Sequence, residues 1–479
     1  VVNGLKSVHA TSVKRKGVHD ERCLCVDEQP GNPENRHGLT KPRGEGGIMT
    51  GIKVKTARYG LGRIFMAMAF PFMLLPFPAE AQTTKEELLS NLQHAGGILQ
   101  SYIYVKTPLT PAPEGYRPFY ISHFGRHGSR WLTTAGYYDR PEKIFREAFE
   151  AGKLTDLGVS VYKRIKVIAA DAENRYGALT PRGVIEQKEI AERMFRSYPE
   201  VFSTNNGRAC TIYARSTVVP RCILSMAANN ERLKELNPKI EITREATDRN
   251  SYLNTEYKTA GKDSLEAIAY DYLNQRFPMR AFMATLFSDT LYVKEHIENP
   301  AALVINIFQI AGDLQDLDHL SIDLYDIFTQ DEIFTLWQTV NMKWYYDFNS
   351  REAIESAKLL LRNIVDCADS AITHGHPSAD LRFGHDSNLG PLLALMGVNG
   401  LDAPRPEPEN IDKVWSDFKV TPMAANLQLI FYRNEKTGDV IVKILHNEKE
   451  AKIPVATDRM PYYRWKDMKA YYRQILDRG

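Results

Sequence analysis

Phe119-Tyr120-Ile121-Ser122-His123-Phe124-Gly125-Arg126-His127-Gly128-Ser129-Arg130 runs from aromatic and apolar residues straight into a cluster of charge. The first half reads as a strand. The pentapeptide Arg126-His127-Gly128-Ser129-Arg130 then combines a nucleophile with two fixed cations. Two guanidiniums can hold a phosphoryl group by paired hydrogen bonds while an unprotonated imidazole nitrogen attacks phosphorus, and Gly128 lets the backbone pass close to a ligand. A surface Arg-His-Arg cluster balancing nearby acids is the competing reading of so short a match, so the rest of the chain must decide.

Two further stretches repeat the pattern. Ala209 to Ala214 is a β-branched and aromatic run followed by Arg215-Ser216-Thr217 and a helical pattern from Pro220 to about Glu235. Ser216 or Thr217 is expected to cap that helix, Pro220 suits its first turn, and Arg221 lies beside its positive end. Asp380 to Gly384 leads through His385-Asp386 into an apolar helix carrying Leu389, Leu392, Leu393, Leu395 and Met396. Ligands of α/β sheets collect beyond the carboxyl ends of strands, where the amides of the following helices also point. Three such junctions bearing Arg, His and Asp predict an α/β fold, and Leu427 to Tyr432 with Val440 to Leu445, flanking the turn-rich Asn434 to Asp439, predict an antiparallel hairpin that makes the central sheet mixed, with helices on both faces.

Arg126-His127-Gly128-Ser129-Arg130 with the distant His385-Asp386 resembles the histidine acid phosphatase branch of the histidine phosphatase superfamily. Leu179-Thr180-Pro181-Arg182-Gly183 is similar to the family's Leu-Thr-x-x-Gly, and Arg215-Ser216-Thr217 with Arg221 and Ser225 resembles the segment supplying its third phosphate-binding arginine. The resemblance runs from about residue 104 to 450. It implies that His127 is the nucleophile, that Arg126, Arg130, Arg221 and a protonated His385 bind phosphate, and that Asp386 is the general acid. Arg215 competes with Arg221 for its role. His385-Asp386-Ser387 matches acid phosphatases and many phytases, whereas the approach from Pro118 to Gly125 is similar to the inositol-polyphosphate group, so the two ends of the site point to different subfamilies. The implied substrate is a small phosphate monoester, with inositol phosphates or phytate as candidates, and no cofactor is called for. A phosphotransferase or mutase, or a binding protein without turnover, are the alternatives.

A metal centre is the rival chemistry, since His374 and His376 lie near His385-Asp386 in sequence. The arginines would repel a cation there, and His374-Gly375-His376-Pro377 reads as a turn.

Ahead of the catalytic segments, Lys53, Lys55, Arg58 and Arg63 precede an apolar run from Ile64 to Pro78 that ends at Ala79-Glu80-Ala81. Positions 49–81 therefore read as a secretory signal cut after Ala81, and 1–48, rich in Gly, Pro and charge, as a non-native or disordered extension. Export to the periplasm or medium follows, with no membrane attachment after cleavage. Without 1–81, 61 Lys and Arg against 59 Asp and Glu become 49 against 52, which removes the global basic field that nucleic-acid binding would need. Of the five cysteines, Cys23 and Cys25 fall in the extension. Cys210, Cys222 and Cys367 remain, an odd count compatible with one disulfide or with buried thiols.

Stripes at three- and four-residue spacing predict helices between Pro141 and Tyr198, with core faces of Ile144, Ala148 and Phe149, then Val161, Ile165 and Ile168, then Ile185, Ile190 and Met194. From about Glu245 to Ser350 no convincing strand is found, and Arg351 to Ala371 reads as a long amphipathic helix. We expect an α/β core of 82–244 and 365–479 with an inserted helical cap at 245–364. Tyr137, Tyr138, Arg140, Lys258 and Lys262 could contribute to substrate choice but read more simply as surface.

Overall fold

A computed structural model describes residues 83–205, 209–253 and 257–477. The expected extension and signal, with Cys23 and Cys25, lie outside these residues. Eight strands form one mixed sheet: β1 (Tyr116–Arg126), β2 (Thr211–Ser216), β3 (Glu241–Ala246), β4 (Ala379–Gly384), β5 (Asn426–Asn434), β6 (Val440–His446), β7 (Lys449–Glu450) and β8 (Tyr462–Arg464). The order is β3-β2-β4-β1-β5-β6-β7, with β8 on β6. β3, β2, β4 and β1 run parallel, and β5 turns the sheet antiparallel beside β1.

The helices are α1 (Thr84–Ser90), α2 (Gly136–Glu150), α3 (Asp156–Ala172), α4 (Pro181–Ser197), α5 (Pro220–Leu236), α6 (Lys262–Arg276), α7 (Met279–Leu286), α8 (Thr290–His296), α9 (Pro300–Asp313), α10 (Gln330–Phe348), α11 (Arg351–His374) and α12 (Asp386–Leu395). Two single turns, α13 (Ile411–Val414) and α14 (Asp417–Val420), and the terminal α15 (Trp465–Asp477) complete the set.

Alternation along β1 sends its side chains to two cores. Tyr120 and Phe124 join Leu361 and Ile364 of α11, Leu392 of α12 and Tyr472 of α15. Ile121, with Ile212 of β2 and Leu381 of β4, meets Met194 of α4 and Met226 of α5. Covered on both faces, β4 is buried along its whole length. It nonetheless carries two charges, which are paired locally: Asp380 with Arg215 at 2.7 Å and Tyr120 at 2.8 Å, Arg382 with Ser122 at 3.0 Å and Asn363 at 2.8 Å.

A third apolar cluster lies mainly among helices. Phe145 and Ile165 of α2 and α3 pack with Phe282, Phe308 and Trp337 from α7, α9 and α10. Two expected core residues are not in it or any other: Phe149 is 46% exposed and Ile185 49% exposed. On α2 the buried face runs through Tyr138, Phe145 and Ala148, leaving Phe149 against Tyr162 at the surface. On α4 the polar residues Glu186 and Gln187 occupy the inward positions in line with Ile190, Ala191 and Met194, which turns Ile185 outward. Among the described residues no disulfide joins Cys210, Cys222 and Cys367.

Candidate active site

The three junctions end side by side. Arg126 is level with Gly384 in the β1–β4 register, and Ser216 with Phe383 in the β2–β4 register. His127 extends the ladder by one bond, its amide donating to the Gly384 carbonyl at 2.9 Å.

Residues from α4 and α5 clamp the turn that follows. The Ser129 amide and hydroxyl both donate to Glu186 at 2.8 Å, Gln187 Nε2 donates to the Arg126 carbonyl at 2.9 Å, and the Gly128 amide donates to Ser225 Oγ at 3.1 Å. Gly128 packs on the backbone of Gly183, and Gly183 in turn on Ser129; a Cβ at either would overlap main-chain atoms. The close approach of α4 therefore by itself demands glycine at 128.

His127 Nδ1 lies 2.8 Å from its neighbour's carbonyl, Gly128 O. A carbonyl only accepts, so Nδ1 carries the proton and Nε2 keeps its lone pair. Burial, reinforced by Arg126 and Arg221, holds this imidazole far below its ordinary pKa. The His385 ring stands edge-on at 5.5 Å between centroids. Burial and then Arg221 push His385 down to about 4, a shift that an anion bound beside the ring would oppose.

Arg126 is fully buried. Nη1 donates to the carbonyls of Ile98 and Thr421, each at 2.6 Å, and Nη2 is 2.8 Å from Asp386 Oδ2. Asp386 opens α12, and Oδ1 accepts the Ser387 amide at 2.9 Å. Burial raises this carboxyl, but Arg126 first, then His385 and Arg130, hold it below the usual aspartate value. Arg221 Nη2 lies 3.5 Å from His385 Nδ1. Arg215, its competitor, is taken up by Asp380 on the sheet. Neither Ser216 nor Thr217 caps α5: Val219 is its N-cap and gives no side-chain bond, because Ser216 Oγ donates to the Thr217 carbonyl and Thr217 Oγ1 accepts the Val219 amide.

His127, Arg130, Arg221 and Asp386 line one hollow of about 170 Å³; Arg126 and His385 are not in its lining but touch residues that are, Arg126 through Asp386 and His385 through Arg221 and His127. Its far wall is the segment Ala95–Leu99 with Trp337 and Asp417. Among the described residues no group of three or more His, Cys, Asp and Glu is arranged for a metal. His374 sits exposed at the end of α11, bonded through Nδ1 to the Ser370 carbonyl.

A family model, histidine phosphatase superfamily (branch 2), matches residues 125–447. The chain belongs to that family. The histidine phosphatase fold is shared with the multiple inositol polyphosphate phosphatase of Bifidobacterium longum, solved with inositol hexasulfate, at 18% identity and a TM-score of 0.68 over 79% of this chain and 97% of that one. The same enzyme solved with phosphate matches at 19% identity and a TM-score of 0.64, again over 79% and 97%. The phytase from D. castellii matches at 14% identity and a TM-score of 0.57 over 85% and 90%. This histidine phosphatase is a phosphoric monoester hydrolase.

Several residues of the site were not read from the sequence. Glu186, Gln187, Asp417 and the Gly96-Gly97 wall were missed. For Glu186 a signal existed: it lies four residues before Ile190 and eight before Met194, on the core stripe of α4.

A second chamber of about 490 Å³ adjoins the hollow, sharing Thr133, Tyr137, Gln309, Val340 and Trp344 with it. Tyr137, Arg140 and Lys262 line it. Tyr138 does not: it is buried and donates to Asp313 at 3.2 Å. Lys258 is exposed and not part of the chamber.

Proposed function

We propose that this enzyme is exported and hydrolyses inositol phosphates through a phosphohistidine. The carrying observation is the Nδ1 bond from His127 to Gly128, which leaves Nε2 free in the hollow that Asp386 also lines. Nε2 attacks phosphorus, the ester P–O bond breaks, and the departing alkoxide takes the proton of Asp386. The resulting carboxylate removes a proton from water, whose oxygen displaces His127 and releases phosphate. Arg126, Arg130, Arg221 and His385 bind the non-bridging oxygens, with His385 becoming charged as phosphate enters.

The inositol assignment is supported by the chamber beside the hollow and by the fold shared with an enzyme solved with inositol hexasulfate. The helical stretch at 245–364 acts as the roof that selects the alcohol, and export rests on the leader-like sequence at 49–81.

Acid-free quenching during turnover of a radiolabelled ester should trap label on the protein that survives alkali and is lost in acid, as a phosphorus–nitrogen bond requires. Its absence from His127→Ala, together with lost turnover, completes the test. Wild-type turnover by His127→Ala would refute the mechanism.

A further inference from the structure

The chamber carries its charges in an unusual balance for a polyanion site. Lys262 Nζ on α6 is 3.9 Å from Asp347 Oδ1 on α10, and Lys343 Nζ on α10 is 3.7 Å from Glu266 Oε2 on α6. Asp347 also accepts from Thr259 at 2.7 Å, so its carboxylate is fixed in the wall. Arg140 on α2 lines the same space and makes no ion pair among the described residues. Three cations thus face two carboxylates, and one positive charge is left over.

A fully phosphorylated inositol with one phosphate in the catalytic hollow would bring five more toward this chamber. Two carboxylates there repel phosphate, and each withdraws a lysine from it. Carboxylates accept hydrogen bonds from hydroxyls, which a partly dephosphorylated ring supplies.

We propose that the chamber selects partly dephosphorylated inositol phosphates over the hexakisphosphate. Arg140 takes a second phosphate, while Glu266 and Asp347 accept from free ring hydroxyls and act as the repulsive element against phosphate at those positions. This rests on the inositol phosphate reading above and refines it.

The test compares kcat/KM for inositol hexakisphosphate and an inositol trisphosphate on the same preparation, so that loss of folded protein cancels in the ratio. The wild type should favour the trisphosphate by about tenfold or more, and Glu266→Gln with Asp347→Asn should shift the ratio toward the hexakisphosphate by a similar factor, on the scale of a like-charge contact. Arg140→Ala should raise KM for the trisphosphate about tenfold while kcat changes little. A wild type that prefers the hexakisphosphate, or a ratio unmoved by the double variant, overturns this inference alone. Hydrolysis of p-nitrophenyl phosphate with neither inositol phosphate attacked overturns the substrate assignment beneath it as well.

Discussion

Asp386 Oδ2 lies 2.8 Å from Arg126 Nη2, so the proposed acid is held by an arginine that is itself anchored to two backbone carbonyls. Its proton is therefore held loosely, and its protonated fraction falls as pH rises. Hydrolysis of alkyl phosphates should decline from acid toward neutral pH. Asp386→Asn should cost about 10²- to 10⁴-fold on an alkyl ester and much less on p-nitrophenyl phosphate, whose leaving group needs no proton. Steady-state rates on the two esters across pH check both statements; equal losses on both would argue against general-acid catalysis.

The backbone contact between Gly128 and Gly183 predicts a different kind of defect. A methyl at Gly183 meets Ser129 main-chain atoms that cannot swing aside. Gly183→Ala should destabilise the fold by about 1–3 kcal/mol and lower turnover by shifting His127. Thermal melting beside kinetics reads both.

Asp417 is fully buried, takes Trp337 Nε1 at 2.9 Å on Oδ1, and is pushed by burial from 3.8 up to about 7. Between those values the native protein binds a proton that the unfolded chain has released. Stability therefore falls as pH rises through that window, and the penalty is complete above pH 7. Asp417→Asn keeps an acceptor for Trp337 and should raise the melting temperature at pH 8 relative to wild type, but not at pH 4. A difference independent of pH would contradict the assignment.

Chelation should leave hydrolysis undiminished. His385 faces Arg221 rather than His374, and His374 is bonded to its own helix. Loss of activity in chelator, restored by added zinc, would require a metal step.

The residues that the sequence makes conspicuous are those at strand ends, where an apolar run stops at Arg, His or Asp. β1, β2 and β4 have that form, and their register brings the ends together. Residues that act by holding others were less visible. Glu186 looks like a surface glutamate until α4 is seen to bury it under Ser129, and Ile185 looked like core because the true stripe contains a charge. Arg126 stands out in its motif, but the carbonyls of Ile98 and Thr421 that anchor its guanidinium are remote in sequence and belong to no motif. Val219 at the start of α5 shows the same limit at short range, since Ser216 and Thr217 spend their hydroxyls on each other's turn.

β1 and β4 lie side by side in the sheet, yet the entire helical stretch separates them along the chain. Helices can form from local contacts, whereas this pairing must first close a very long loop. During refolding, recovery of catalysis should accordingly trail recovery of helical circular dichroism, making turnover a late reporter of chain assembly.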